Sequence, residues 1–203
     1  LALIASRFPG FVAPANLARV FTDTAPLILL ALGQMAVILT KCIDLSVAAN
    51  LALCGMVAAL MNGAGVPLPL ILLAVVALGA ALGAVNGLLV WKLGIPSIVV
   101  TLGTMTIYRG SIFLMTGGAW INAHQMSEGF KALPRHILLG LPVMAWIALA
   151  AIAAVAILLT RTALGRALYA VGGNPHAAVY TGISVGRTPV SYTHLRAHET
   201  RGN

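Results

Sequence analysis

An all-α bundle of helices crossing a lipid bilayer several times is the fold class this sequence predicts, and two observations predict it. Of its 203 residues, 60% are hydrophobic and only 8% are charged, with a mean hydropathy of +1.00. A soluble domain of this size has no interior large enough to hide so much apolar side chain. The apolar residues also fall in long runs separated by short polar or Gly/Pro-rich breaks. Such runs match the roughly 20 residues a helix needs to cross hydrocarbon. About five spans are present, and no repeat of fixed period is visible.

Taken in order, Leu1–Phe8 is too short to span and reads as the stump of a first helix, so a targeting segment cannot be assessed. Residues 9–24 mix Pro9, Gly10, Pro14, Arg19 and Asp23 among apolar positions and read as a loop. Residues 25–40 are apolar except for Gln34, and Lys41-Cys42-Ile43-Asp44 interrupts them with two charges. The chain turns apolar again from Leu45 to Asn62, and Gly63–Pro69 reads as a turn. Residues 70–91 form the longest clean span, before Gly94 and Pro96 break the chain. The segment 97–116 is apolar but interrupted by Tyr108-Arg109-Gly110; a polar loop follows over 117–136, then the span 138–160.

The net charge of +8 comes from 12 Lys and Arg scattered singly, against four acids. Scattered charges argue against a nucleic-acid surface and for loop charges that set orientation. Arg161, Arg166 and Arg187 make 161–187 the most basic stretch without a compensating acid, which places it in the cytoplasm. Alternation then puts 117–136 outside, Trp91-Lys92 inside, 63–69 outside, Lys41–Asp44 inside and 9–24 outside. Cys42 and Cys54 lie in apolar surroundings without metal-ligand spacing and read as free, buried and structural.

Several residues carry candidate roles. Gly79, Gly83 and Gly87, at four-residue spacing, form a smooth face for close helix packing; Gly55, Ala59 and Gly63 repeat it more weakly. Asp44 is an acid near membrane depth, either facing water or a partner such as Lys41, or capping the next helix, as Ser46 also could. Thr101, Thr104 and Tyr108 recur at i, i+3 and i+7, with Asn86 on the preceding helix able to face them. The stripe fits a path for a hydroxyl-rich solute, or threonines that merely bond their own backbone. Arg109 within a span is expected to face the bundle interior or snorkel to an interface.

The stretch 164–187, LGRALYAVGGNPHAAVYTGISVGR, is too polar for lipid yet locally well punctuated. Thr162 suits the cap of a short helix that Gly172-Gly173 ends; Asn174 and Pro175 then read as N-cap and N1 of a second one stopping at Gly182. The second helix shows small side chains, Ala177, Ala178 and Thr181, which suits insertion into a groove on a partner, though an ordinary structured loop reads the same way.

His176-Ala177-Ala178 with Gly182 four residues on resembles the Glu-Ala-Ala…Gly coupling loop of ABC-importer permeases, with His176 in place of the family's Glu. GRALYAVGGNPHAAVYTGI is similar to that loop in the ribose/xylose/rhamnose branch. Ile43-Asp44-Leu45-Ser46-Val47 matches the family's Gly-Gly-Ile-Asp-Leu-Ser-Val-Gly motif, with Lys41-Cys42 and Ala48 as departures, and its Ala-Ala-Asn continuation is closest to rhamnose-type permeases. Residues 86–118 resemble the family almost throughout.

The resemblance covers 1–188, the transmembrane permease domain, and implies a multi-pass protein of the bacterial inner membrane. It implies that Asn174, Pro175, His176, Ala177, Ala178 and Gly182 couple to an ABC ATPase that holds ATP and magnesium, with no cofactor on this chain. It also implies a second permease subunit, identical or not, and a periplasmic sugar-binding protein. The function implied is ATP-driven import of a ribose- or rhamnose-like monosaccharide. An ion-coupled secondary transporter using Asp44, or an inactive truncated fragment, are the alternatives. No enzyme constellation appears: there is no P-loop, His-Glu-x-x-His or Gly-x-Ser-x-Gly.

Residues 189–203 depart from the family. Where it enters another membrane helix, this chain has a polar tail whose SYTHLRAHET resembles read-through at broken ends of metagenome-derived reading frames, implying truncation at both ends. His194 and His198 at i, i+4 lack a third ligand and make a weak metal pair.

Overall fold

The computed structural model describes residues 6–119, 121–122 and 125–174. Over these it is a helical bundle, with four helices long and apolar enough to cross a membrane and one shorter apolar helix.

A 3-10 turn, Pro9–Val12, leads into α1, Pro14–Leu39. Residues 14–24 therefore belong to the helix and not to a loop, which corrects the reading from composition. Pro14 at the first helical position is preorganised for the turn and sacrifices an N–H that has no helical partner anyway. Pro26 lies inside α1 and cannot donate to the ladder. The hydroxyls of Thr22 and Thr24 fold back onto the carbonyls of Ala18 and Val20, at 2.8 and 2.7 Å, in the turn just before it. The helix stops at Thr40, whose hydroxyl donates to Val37 O, and Lys41 adopts a left-handed φ of 58°.

Ser46 precedes α2, Val47–Gly63, the short apolar helix. Pro67 precedes α3, Leu68–Leu93, which Gly94 ends with φ 63°, a conformation free of steric cost only for glycine. Pro96 precedes α4, Ser97–Thr116, ended in the same way by Gly117 at φ 60°. Tyr108-Arg109-Gly110 does not interrupt α4, because one ionisable side chain leaves the backbone ladder untouched. A short helix α5, Glu128–Ala132, is capped by Ser127, whose Oγ accepts from Phe130 N. A two-residue hairpin pairs Ile137–Leu138 with Leu141–Pro142 through a turn at Leu139 and Gly140, both with positive φ. The fourth long apolar helix, α6, consequently runs Val143–Arg161 and starts five residues later than hydropathy suggests. Trp146 Nε1 ties it back to Leu138 O at 2.8 Å. Thr162 caps α7, Ala163–Gly173, accepting from Gly165 N at 3.1 Å.

Packing divides the helices into two groups. α2, α3 and α4 pack on one another, while α1 packs on α6 and α7 packs on both. Fully buried Ala25 on α1 and Ala145 and Ala148 on α6 let backbones approach closely, as membrane helices do where lipid offers no hydrophobic drive to associate. Large apolar side chains point outward instead: Val76 is 70% and Leu114 82% exposed. So extensive an apolar exterior requires lipid around it. Asn62 on α2 exchanges two hydrogen bonds with Ser127, at 2.9 and 2.7 Å, which ties the loop end of α2 to the segment before α5.

Candidate functional site: a polar cavity between the two helix groups

At the end of the bundle that carries Lys41 and Lys92, the two groups border a half-open cavity of about 250 Å³. α1 and α7 contribute Ala36, Val37, Thr40 and Leu168; α3 and α4 contribute Gly83, Asn86, Gly87, Val90, Ser97 and Thr101; the connection between α1 and α2 contributes Cys42, Ile43 and Asp44.

Hydrogen bonds tie that connection to α3 and α4. Asp44 Oδ1 accepts from Ser46 N at 2.8 Å and from Ser46 Oγ at 2.7 Å. Ser46 Oγ in turn accepts from Asn86 Nδ2 at 2.8 Å, so a chain of three side chains runs from α3 to the carboxylate. Ile43 N donates to Ser97 Oγ at 3.2 Å and Leu45 N to Thr101 Oγ1 at 3.1 Å. The Thr101 hydroxyl itself donates to Ser97 O at 2.8 Å. The first turn of α4 therefore supplies the partners that an irregular backbone at membrane depth must find. Among the described residues, Asn86 Oδ1 is left without a partner on a residue 94% buried, closed off from the cleft, and the second oxygen of Asp44 takes no part in these bonds. A buried acceptor without a partner costs about 1–3 kcal/mol.

The cavity draws in Asp44, Asn86 and Thr101 and leaves out other residues the sequence grouped with them. Thr104 is buried on the same face of α4, but its hydroxyl donates to Val100 O at 3.1 Å. Tyr108 packs with Ala49 and Leu53 and donates to Leu82 O at 3.0 Å, which fixes α4 on α3. Arg109, one residue further round the helix, is exposed, with no ion pair among the described residues, and does not face the interior of this bundle. The expected Lys41–Asp44 pair does not form. The left-handed Lys41 ends the helical register, and its Nζ donates to Gly173 O at 3.4 Å. Cys42 is half-buried at the cavity wall; only Cys54 is buried, so the reading of both as buried is corrected.

The glycine stripe is split as well. A Cβ on Gly79 would touch Cys54 Sγ at 3.5 Å, ordinary contact with α2, whereas one on Gly83 or Gly87 would meet nothing within 4 Å. Those two look into the cavity and are not helix contacts within the described residues. Gly55 and Gly63 likewise meet nothing within that distance. The tight approach falls at Gly172, which no spacing rule singled out: a Cβ there would overlap the carbonyl oxygen of Leu39, so α7 lies against the end of α1 with no room between them. Ser46 and Ser97 are further site residues. The sequence marked Ser46 as a possible cap within the Ile43–Val47 motif, whereas Ser97 had only its position directly after Pro96.

Asn174 closes α7, its N–H donating to Ala170 O at 3.0 Å. Pro175, His176, Ala177, Ala178 and Gly182, and the tail 189–203, lie outside the described residues. No group of three or more metal-ligating side chains occurs among those described.

Comparison with known proteins places this geometry. A family profile described as branched-chain amino acid transport system / permease component matches residues 16–195. The chain is 41% identical over 180 residues to the autoinducer 2 import system permease protein LsrC of Enterobacter sp. (strain 638), covering 89% of this chain and 52% of the relative. Identity to the protein of the same name from Klebsiella pneumoniae is also 41%, with the same coverage, and to that from Escherichia coli 38% over 180 residues, covering 86% and 52%. The chain thus spans about half the length of the curated relatives it matches. No solved structure matches. Long apolar helices, a basic end and a family match over most of its length lead to one conclusion: this chain is a multi-pass inner-membrane protein and belongs to the permease-component family of the branched-chain amino acid transport type.

Proposed function

We propose that the chain is the membrane-spanning subunit of an ATP-driven importer of a small hydroxylated solute. An ABC ATPase holding ATP and magnesium, a second permease subunit and a periplasmic binding protein are its partners. The observation that carries this is the cavity between two separately packed helix groups, with α7 locked to one of them. A solute path that opens at alternate ends needs two bodies that move relative to each other and a handle on one of them. α7 is such a handle: Gly172 and the Lys41–Gly173 bond attach it to the end of α1, Leu168 reaches the cavity wall, and the 174–182 segment follows directly.

Under this reading the basic end carrying Lys41, Lys92, Arg161 and Arg166 faces the cytoplasm, where the ATPase docks on Asn174–Gly182. Asp44, Asn86 and Thr101 line the path; Thr104 and Tyr108 hold α4 in place beside it. The relatives are named for autoinducer 2 import, so this solute and a ribose- or rhamnose-like sugar are the substrates to try first.

The test is uptake of radiolabelled autoinducer 2 and of D-ribose into proteoliposomes containing the full complex. Uptake that requires ATP inside and persists when sodium and proton gradients are collapsed is the expected result. Uptake driven by a gradient without ATP would instead make Asp44 an ion site and end the importer reading.

A further inference from the structure

We infer that the hairpin before α6 is an interfacial anchor, seated in the leaflet away from Lys41 and Lys92. Leu138 and Leu139 reach the acyl boundary, and the Arg135 guanidinium sits on a phospholipid phosphate. The inference rests on the membrane class alone, not on the energy source or direction of transport.

Helix lengths put the hairpin at the right depth. At about 1.5 Å per residue, the 19 residues of α6 reach about 28 Å, nearly the whole hydrocarbon core of roughly 30 Å. Val143 therefore stands at the edge of the core, and the hairpin directly before it lies in the headgroup layer. With 26 residues, α1 is about 10 Å longer. Its surplus first turns are the part beside the hairpin: Ala15, Ala18 and Arg19 share an open cleft with Arg135, Ile137 and Gly140. The headgroup layer is also where such a backbone has to sit. Two-residue strands leave outward N–H and C=O groups that need water, which hydrocarbon cannot supply.

The side chains fit that depth. Ile137, Leu138 and Leu139 are all exposed, Leu139 to 86%. Leu139 and Gly140 make the turn with φ of 51° and 83°, a conformation that favours asparagine or glycine at both places. A bulky residue is strained there, and full exposure to water would return nothing for it. Lipid does, because a leucine at the tip is carried into the acyl boundary. The hairpin is also continuous with the lipid-facing exterior. Trp146 Nε1 donates to Leu138 O, and Trp146 and Ile147 are exposed on the adjoining face of α6. A tryptophan with its N–H bonded and its ring exposed at this level is typical of a membrane–water boundary. Charge completes the pattern. Arg19 lies near Asp23 and Lys131 pairs with Glu128, while exposed Arg135 has no ion pair among the described residues. Its planar fork of donors suits the phosphate that a phospholipid headgroup presents.

The test measures depth at the turn. The chain carrying Leu139→Cys in a Cys42→Ser background is labelled with bimane and reconstituted in phosphatidylcholine nanodiscs. Cys54 is buried, so its staying unlabelled reports an intact bundle. Glu128→Cys in the same background is the water-facing reference. Iodide should quench position 139 roughly threefold less than position 128, and lipid brominated high on the acyl chain roughly threefold more. Arg135→Glu, which repels phosphate, should raise iodide quenching at 139 about twofold, and Arg135→Lys should restore the shielding. Should Leu139→Cys expose Cys54, the same measurement at Leu138→Cys decides.

Strong iodide quenching at 139 without quenching by brominated lipid would put the hairpin in water and overturn the inference. Shielding from both quenchers would overturn it equally, since a second copy of the chain or another protein would then cover the tip. Quenching unchanged by Arg135→Glu would overturn the phosphate contact.

Discussion

Asp44 shows how one side chain can look functional and still be chiefly structural. Its Oδ1 holds both the backbone N–H and the hydroxyl of Ser46, the residue that opens α2. Replacing it with alanine should cost about 0.5–2 kcal/mol, the range for removing a helix-capping side chain. Asp44→Asn keeps an acceptor in the same place and should cost less, with ATP-driven uptake largely retained. Thermal unfolding in detergent measures the first effect and proteoliposome uptake the second. Uptake abolished by Asp44→Asn in a normally assembled complex would show that the charge itself is used. Asn86 is structural in the same way: its amide nitrogen donates to Ser46 Oγ, while its oxygen is buried without a partner among the described residues.

Among the elements, α7 is the most exacting in its fit. Gly172 has no space for even a methyl group against Leu39, and Gly165 is as tight against the carbonyl oxygens of Leu158 and Leu159. Gly172→Ala should therefore push α7 off the end of α1, at a cost of about 1–3 kcal/mol or more for overpacking. The readout is faster tryptic cleavage at Arg161 and Arg166 with the membrane helices still folded. On α3 the effects of two glycines should differ. Gly79→Leu meets Cys54 and Asn50 and should destabilise the α2–α3 pair by about 1–3 kcal/mol, seen as a lower unfolding temperature in detergent. Gly83→Leu has free space and should leave that temperature within error while occupying the cavity. Equal effects at both sites would mean that the stripe packs as one continuous face after all.

For the whole molecule, the two helix groups and the lipid-facing exterior set what the chain can do. The groups meet across the cavity and through few other contacts, so their relative position is the soft coordinate. If 174–182 is where an ATPase pushes, a bulky residue in that segment should uncouple the complex and spare the bundle. Gly182→Trp should weaken ATPase binding by one to two powers of ten, taking an overpacking cost of about 1–3 kcal/mol and roughly 1.4 kcal/mol per decade. Pull-down of the ATPase and solute-stimulated ATP hydrolysis check it. Unchanged binding and hydrolysis would reduce the segment to a connector. Arg109 belongs to this scale as well, since a cation exposed on α4 has to meet a partner or snorkel to the membrane interface.

Composition and punctuation in the chain were enough to establish the membrane class, the long apolar helices and most of their ends. Pro67, Pro96, Gly94 and Gly117 act through their own φ restrictions or freedom, and Thr162 through a hydrogen bond three residues away, so each can be read locally. The helical start of α1 at Pro14 and the hairpin before α6 escaped that reading, because apolar content reports depth in lipid and a helix continues beyond it. Which polar residues meet was decided only in three dimensions. Thr101 and Thr104 share one face of α4, yet one closes a cavity and the other bonds its own turn. Gly79 and Gly83 share one spacing, yet only the first touches another helix. In water, burial would have marked the inward face with apolar residues. In lipid both faces of a helix are equally apolar, so the sequence alone does not record which side turns toward a neighbour, and the approach of the helices decides it.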